Sequence, residues 1–154
     1  MYRIIVLFFV LALSGCSVSL DATVHDEDRA AELTKEYLTL IGTPEGTKKV
    51  YGDSHDKFKT MVNYQSFSKG MESMNKMIGN SVLQISAYET YGTDEAIVVY
   101  SNTINAVTKL YFRTTFLGTK SKGYKLLNFN SNDRGYEHKG IYKEYTNKIE
   151  FQKI

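Results

Sequence analysis

The apolar residues of this chain change period once, near Ser81, and that change limits the folds open to it. Before Ser81 they recur every three or four positions. After it they alternate, and branched and aromatic side chains dominate. Helices first and strands second predict an α+β fold: N-terminal helices packed on a curved antiparallel sheet of about four strands.

The spacing of Ala30, Leu33, Tyr37, Leu40 and Ile41 predicts a first helix over 26–41. Asp26, Glu27 and Asp28 crowd its first turn, where the helix dipole favours negative charge. Gly42 and Pro44 supply a stop signal. Residues 46–52 read as a polar connection. Asp53 or Ser54 can cap a second helix to about residue 64, with Phe58, Met61 and Val62 inward. Ser66 or Ser68 can cap a third, ending at Gly79, with Met71, Met74, Met77 and Ile78 as its apolar stripe. Methionines so spaced are adaptable core filler. A thioether metal site would call for soft partner ligands, and none accompany them.

Strands are predicted over 82–91, 96–104, 107–117 and 124–129. The turn at 92–95 and the loop at 118–123, with glycine at both its ends, make hairpins of them. Beyond residue 132, Ile141, Tyr142, Tyr145 and Ile149 fit a helical face, while Ile149 to Gln152 also fit a strand. Short apolar segments are not settled by periodicity.

The N-terminus carries a different signal. Arg3 is followed by an apolar run from Ile4 to Leu13, then small residues and the one cysteine, Cys16. A positive start, an apolar run of this length and a small-residue cleavage site make a secretory signal. The run is short of the ~20 residues a membrane-spanning helix needs. Leu13-Ser14-Gly15-Cys16 resembles the lipobox of bacterial lipoproteins at all four positions. That resemblance implies cleavage between Gly15 and Cys16 and acyl chains on Cys16, which then acts as the membrane anchor. A plain signal peptide with an unpaired cysteine is the alternative. Ser17 stands where the lipoprotein pattern uses aspartate for inner-membrane retention, so the resemblance implies the outer membrane, facing the periplasm. The expected organisation is a signal peptide over 1–15, the lipidated cysteine and a tether over 16–25, an α+β domain over 26–131, and an extension over 132–154 packing on it.

Three helices, then Phe112-Arg113-Thr114-Thr115-Phe116 and Gly123-Tyr124-Lys125-Leu126-Leu127 closing a meander, resemble the nuclear-transport-factor-two-like cone of small secreted bacterial proteins. That resemblance implies a sheet wrapped around helices, with a pocket at the mouth.

With 12 tyrosines, 8 phenylalanines and one proline, the composition is that of a folded chain. A single cysteine permits no internal disulfide, so packing must hold the fold. Charge is uneven: residues 16–56 hold nine acids and four bases, residues 107–154 ten bases and four acids. The basic end can meet an anionic surface or partner, or simply be a solvated face.

No glycine-rich phosphate loop, nucleophile elbow or paired-histidine zinc motif is present, and no catalytic residue, metal ligand or cofactor is assigned. His25 and His55 each stand beside aspartates at expected helix starts, which suits capping better than metal binding. His138 lies in a charged loop and is expected at the surface. Arg113, Tyr111, Tyr100, Lys120, Lys122 and Lys125 are the candidate ligand or partner contacts. Burial of Leu110, Phe112 and Phe116 against the helices would put Tyr111 and Arg113 on the opposite face, with Arg113 exposed. In the other register Arg113 would enter the cone and need an acidic partner or an anionic ligand. The expected function is a membrane-anchored periplasmic lipoprotein acting as a non-enzymatic binding or accessory module. Its partners would be membrane lipid through Cys16 and an envelope protein, not nucleic acid. An immunity or exclusion lipoprotein aimed at a toxin, muramidase or phage component is one alternative, and a small pocket enzyme is another.

Overall fold

In the computed structural model, residues 24–92 and 94–153 are described. The lipobox and most of the tether lie outside the described residues. Four helices precede five strands: α1 (Glu27–Leu40), α2 (Pro44–Asp53), α3 (Asp56–Met61), α4 (Tyr64–Ile78), β1 (Val82–Thr90), β2 (Ala96–Ile104), β3 (Tyr111–Thr119), β4 (Gly123–Asn132) and β5 (Ile141–Gln152). The fold is α+β, with a five-stranded antiparallel sheet rather than one of about four strands. No described helix is long and apolar enough to cross a membrane.

Asp26 caps α1, its carboxylate accepting from the Arg29 N–H at 2.9 Å. The residues read as a polar connection instead form α2. Pro44 is less a stop than a start: it occupies the first turn of α2, where a missing N–H costs nothing. Thr43 caps that helix by accepting from the Gly46 N–H at 3.0 Å. Gly46 lets α2 turn back tightly, because a Cβ there would stand 2.0 Å from the Leu40 carbonyl oxygen. Its buried face is only Gly46, Thr47 and Val50, too small and polar a stripe to register as helical periodicity.

His55 caps α3, its Nδ1 accepting from the Lys57 N–H at 3.1 Å. Met61, expected inward from this helix, is exposed. Asn63, not a serine, caps α4. Phe67, Met71, Met74 and Ile78 form the buried stripe of α4, and Met77 faces solvent instead of joining it. Gly70 sits in the middle of α4 with nothing within 4 Å of the place a Cβ would take. Gly70→Ala is therefore expected to stabilise the domain by about 0.5–1 kcal/mol, read as a rise in the denaturant midpoint.

The sheet order is β4-β3-β2-β1-β5. The first four strands form a simple meander. The fifth, left open in the sequence between helix and strand, pairs antiparallel with the free edge of β1. Leu83, Ile85, Ile97, Val99, Phe112 and Phe116 point at the helices and are completely buried. Each such side chain contributes roughly 1.5–3 kcal/mol relative to exposure. The space between helices and sheet is filled by this core. The register of β3 is the one expected from Leu110, Phe112 and Phe116.

Between Ile85 and Ala87 the register slips on both sides of β1. Ile149 faces Ile85 while Glu144 faces Ala87, so residues 145–148 bulge out of β5. The bulge sends Tyr145 to the helix layer, where its hydroxyl donates to the Glu27 carbonyl oxygen at 2.8 Å.

β4 and β5 lie at opposite edges of the sheet, so residues 133–140 must cross its whole width. They cross on the face away from the helices. That is why β2 is buried along nearly its entire length while β1 and β3 alternate. A second, smaller cluster forms under the crossing, with Ala87, Val98 and Tyr100 packed by Tyr91 and Tyr136.

Candidate functional site

The crossing segment, here called the strap, starts at an Asx turn. The Asn132 side-chain oxygen accepts from the Arg134 N–H at 3.0 Å and the Gly135 N–H at 2.8 Å, turning the chain back over the sheet. The far end is held by Glu89 of β1, whose side chain is completely buried. Its Oε1 accepts from the Lys139 N–H at 2.6 Å and from the Gly140 N–H. Its Oε2 accepts from the Tyr100 hydroxyl and lies 3.7 Å from His138 Nδ1.

Burial pushes the Glu89 carboxyl upward, but hydrogen bonds from Tyr100, Gly140, Lys139 and Tyr91 outweigh it. The net result is a carboxylate held below its usual range. Burial, the hydrogen bond to Glu89 and the charge of Glu89 push the Tyr100 phenol well above its ordinary value. Glu89 is thus an ionised acceptor and Tyr100 a protonated donor. Glu89 is a structural anion whose oxygens are occupied, not a base waiting for a substrate.

Arg113 lies on this same face. Its Nη2 donates to the Tyr91 hydroxyl at 3.1 Å, and its Nε is buried without a partner. The expectation that it would be exposed fails, although the register is right, because the strap covers the face it points from. The guanidinium meets a phenol rather than a carboxylate. Tyr91 also supports the Glu89 charge, so it links the acid to the base. Tyr136 of the strap has a buried hydroxyl with no partner. Burial pushes its pKa up to about 12, against a smaller opposing pull from Arg113.

His138 is exposed, as its place in a charged loop predicts, and it also packs against the site. Its ring centroid is 3.8 Å from that of Tyr142 and 4.8 Å, edge-on, from that of Tyr100. With 38 % of its side chain exposed, it forms part of a wall rather than a buried catalytic group.

Between strap and sheet is a cavity of about 230 Å3, walled by Tyr100, Asn102, Tyr111, Tyr136, His138 and Tyr142. Two of the six candidate contacts, Tyr100 and Tyr111, line it, and Arg113 is a neighbour under the strap. The three lysines belong elsewhere. Lys122 pairs with Glu95 at the β3–β4 turn, and the Lys120 N–H donates to the Val24 carbonyl oxygen at 3.1 Å. Lys125 lines a groove between helices and β4, beside Lys49, which is paired with Glu36 and Asp53 at 3.2 and 2.9 Å.

Glu89 stands in the sequence as one of the polar residues the strands could offer to a pocket, whereas Tyr91, Tyr136 and Tyr142 were not legible as site residues. The one available signal was the unbroken apolar stretch Ile97-Val98-Val99-Tyr100 in a sheet otherwise alternating, which means a strand covered on both faces. Among the described residues no group of three or more His, Cys, Asp and Glu is placed to hold a metal ion. Comparison with known proteins brings no relative to this arrangement: no family, no curated protein and no solved structure matches the chain.

Proposed function

We propose that the protein is a lipoprotein of the outer membrane, facing the periplasm, held there by acyl chains on Cys16, and that its folded part is a non-enzymatic binding module with the strap cavity as its ligand end. The observation that carries the binding reading is the state of Glu89. Among the described residues no carboxylate lines the cavity, and Glu89, which touches the lining residues Tyr100 and His138, has its oxygens spent on the strap and Tyr100. The cavity has walls for recognition without a free acid to move protons. The contact between His138 and Glu89 favours a pocket enzyme as a second reading, but a general base needs an oxygen that substrate can reach.

The anchor reading rests on the lipobox. Two buried acyl chains already give stable membrane attachment, at ~0.8 kcal/mol per methylene. Val24 is the first described residue, eight positions after Cys16, and it sits at the β3–β4 turn beside Lys120. On this reading the turn is the membrane-proximal end. The signal peptide, and a cone-like curvature of the sheet, belong to the same proposal. Cys16→Ser is expected to leave an uncleaved precursor that takes up no labelled fatty acid. Normal labelling of that variant would falsify the anchor.

A further inference from the structure

The strap cavity has walls and a floor of different chemistry. The walls are ring faces: Tyr100, Tyr111 and Tyr136, with Tyr142 and His138 packed on one another at 3.8 Å. The floor and rim carry neutral polar groups. Asn102 is 8 % exposed and donates its amide N–H to the Thr103 carbonyl at 3.1 Å, which leaves its side-chain oxygen unspent. Ser86 adds a half-buried hydroxyl. The Tyr136 residue lines the cavity, but its hydroxyl is sealed from it. No carboxylate lines the cavity, and the one formal charge there is Arg134 at the rim.

This combination selects among ligand classes. A cation would find no counter-charge. A long acyl chain would find too many polar groups and too little length. A flat ring edged with hydroxyls satisfies both surfaces: its C–H face packs on a tyrosine ring, and its hydroxyls meet Asn102 and Ser86. The volume of about 230 Å3 is below the roughly 300–1,000 Å3 of sites for drug-sized ligands, and suits one ring rather than a run of them. We infer that the cavity binds one pyranose ring of a glycan, uncharged or acidic, between the strap and β2. This deepens the proposed function and rests on its reading of the chain as a binding module.

The test is calorimetric titration of the full processed protein, in a detergent without a sugar headgroup, with chitotriose as the probe. Saturable binding is expected. Tyr142→Ala, which strips one wall, is expected to weaken it by about tenfold. Tyr136→Phe keeps the ring and removes only a hydroxyl sealed from the cavity, so it is the control: it is expected to leave binding unchanged and the thermal midpoint unchanged or raised. That pairing separates a ligand contact from a structural one. Absence of heat at millimolar chitotriose, binding unaltered by Tyr142→Ala, or binding weakened equally in both variants overturns the glycan assignment alone. Recovery of shortened sugar after the titration overturns the non-enzymatic reading, and with it this inference.

Discussion

Replacing Glu89 with alanine is expected to lower the unfolding free energy by about 3–5 kcal/mol, the range for breaking a buried charged network by removing one partner. The side chain is completely buried and accepts from two strap N–H groups and one phenol. Alanine would leave all three donors without an acceptor, each at a cost of about 1–3 kcal/mol if it stays dry. Glu89→Gln is expected to cost less, since one oxygen remains, but its amide would set N–H against N–H. The pH dependence has a definite sign. The native carboxyl lies below its usual range, so its stabilisation is complete above the unfolded value, near ~4.3, and fades as pH falls through the native value. Denaturant titrations should therefore show the gap between wild type and Glu89→Gln widest at neutral pH and narrowing below pH ~4. A gap that stays constant down to the acid transition would mean that the Glu89 carboxyl titrates alike in the native and unfolded states, and a gap that widens as pH falls would mean that it is protonated in the native state.

Gly118→Ala is expected to cost about 3 kcal/mol or more, from backbone strain and overpacking together. Gly118 has φ +147, and a Cβ there would lie 1.8 Å from the Gly123 carbonyl oxygen and 2.8 Å from its carbon. Both obstacles are backbone of the paired strand, so no side-chain rotation relieves them. The Gly118 N–H also donates to the Glu95 carbonyl oxygen at 2.8 Å, so displacing this residue loosens the β1–β2 turn as well. Gly123→Ala is the control. Gly123 has φ +73 but nothing within 4 Å of a Cβ, so its cost should stay near the roughly 1–2 kcal/mol of a left-handed residue. Equal losses at the two positions would show that conformation, not the close approach of β3 to β4, sets the requirement.

Local pattern carried the fold up to the point where the chain makes long-range choices. The first helix and the first two strands have sequence limits within a residue of those observed, because caps, turns and alternation are local. The second helix was hidden by its two glycines and by a buried face too small to make a stripe. β5 was ambiguous because its bulge at 145–148 breaks the alternation that marks a strand. The site depended on the least local decision of all, which edge of the sheet the last strand joins. Arg113 shows the difference. Its register followed from Leu110, Phe112 and Phe116, whereas its burial followed from a segment twenty residues later that no periodicity places.

The joining of β5 to β1 also sets an order in time. Val82 pairs with Gln152, seventy positions further along, so the sheet cannot be finished until almost the whole chain is available. Loop closure over that distance is entropically unfavourable and comes late in folding. Until then β1 has one bare edge, a template for pairing with any passing strand. Until then, too, Glu89 has no strap to hold. The last segment therefore closes three things in one step: the edge of the sheet, the environment of its buried carboxylate, and the roof of the cavity. A chain interrupted shortly before residue 141 would keep its helices and its meander, yet would have neither a cavity nor a protected edge.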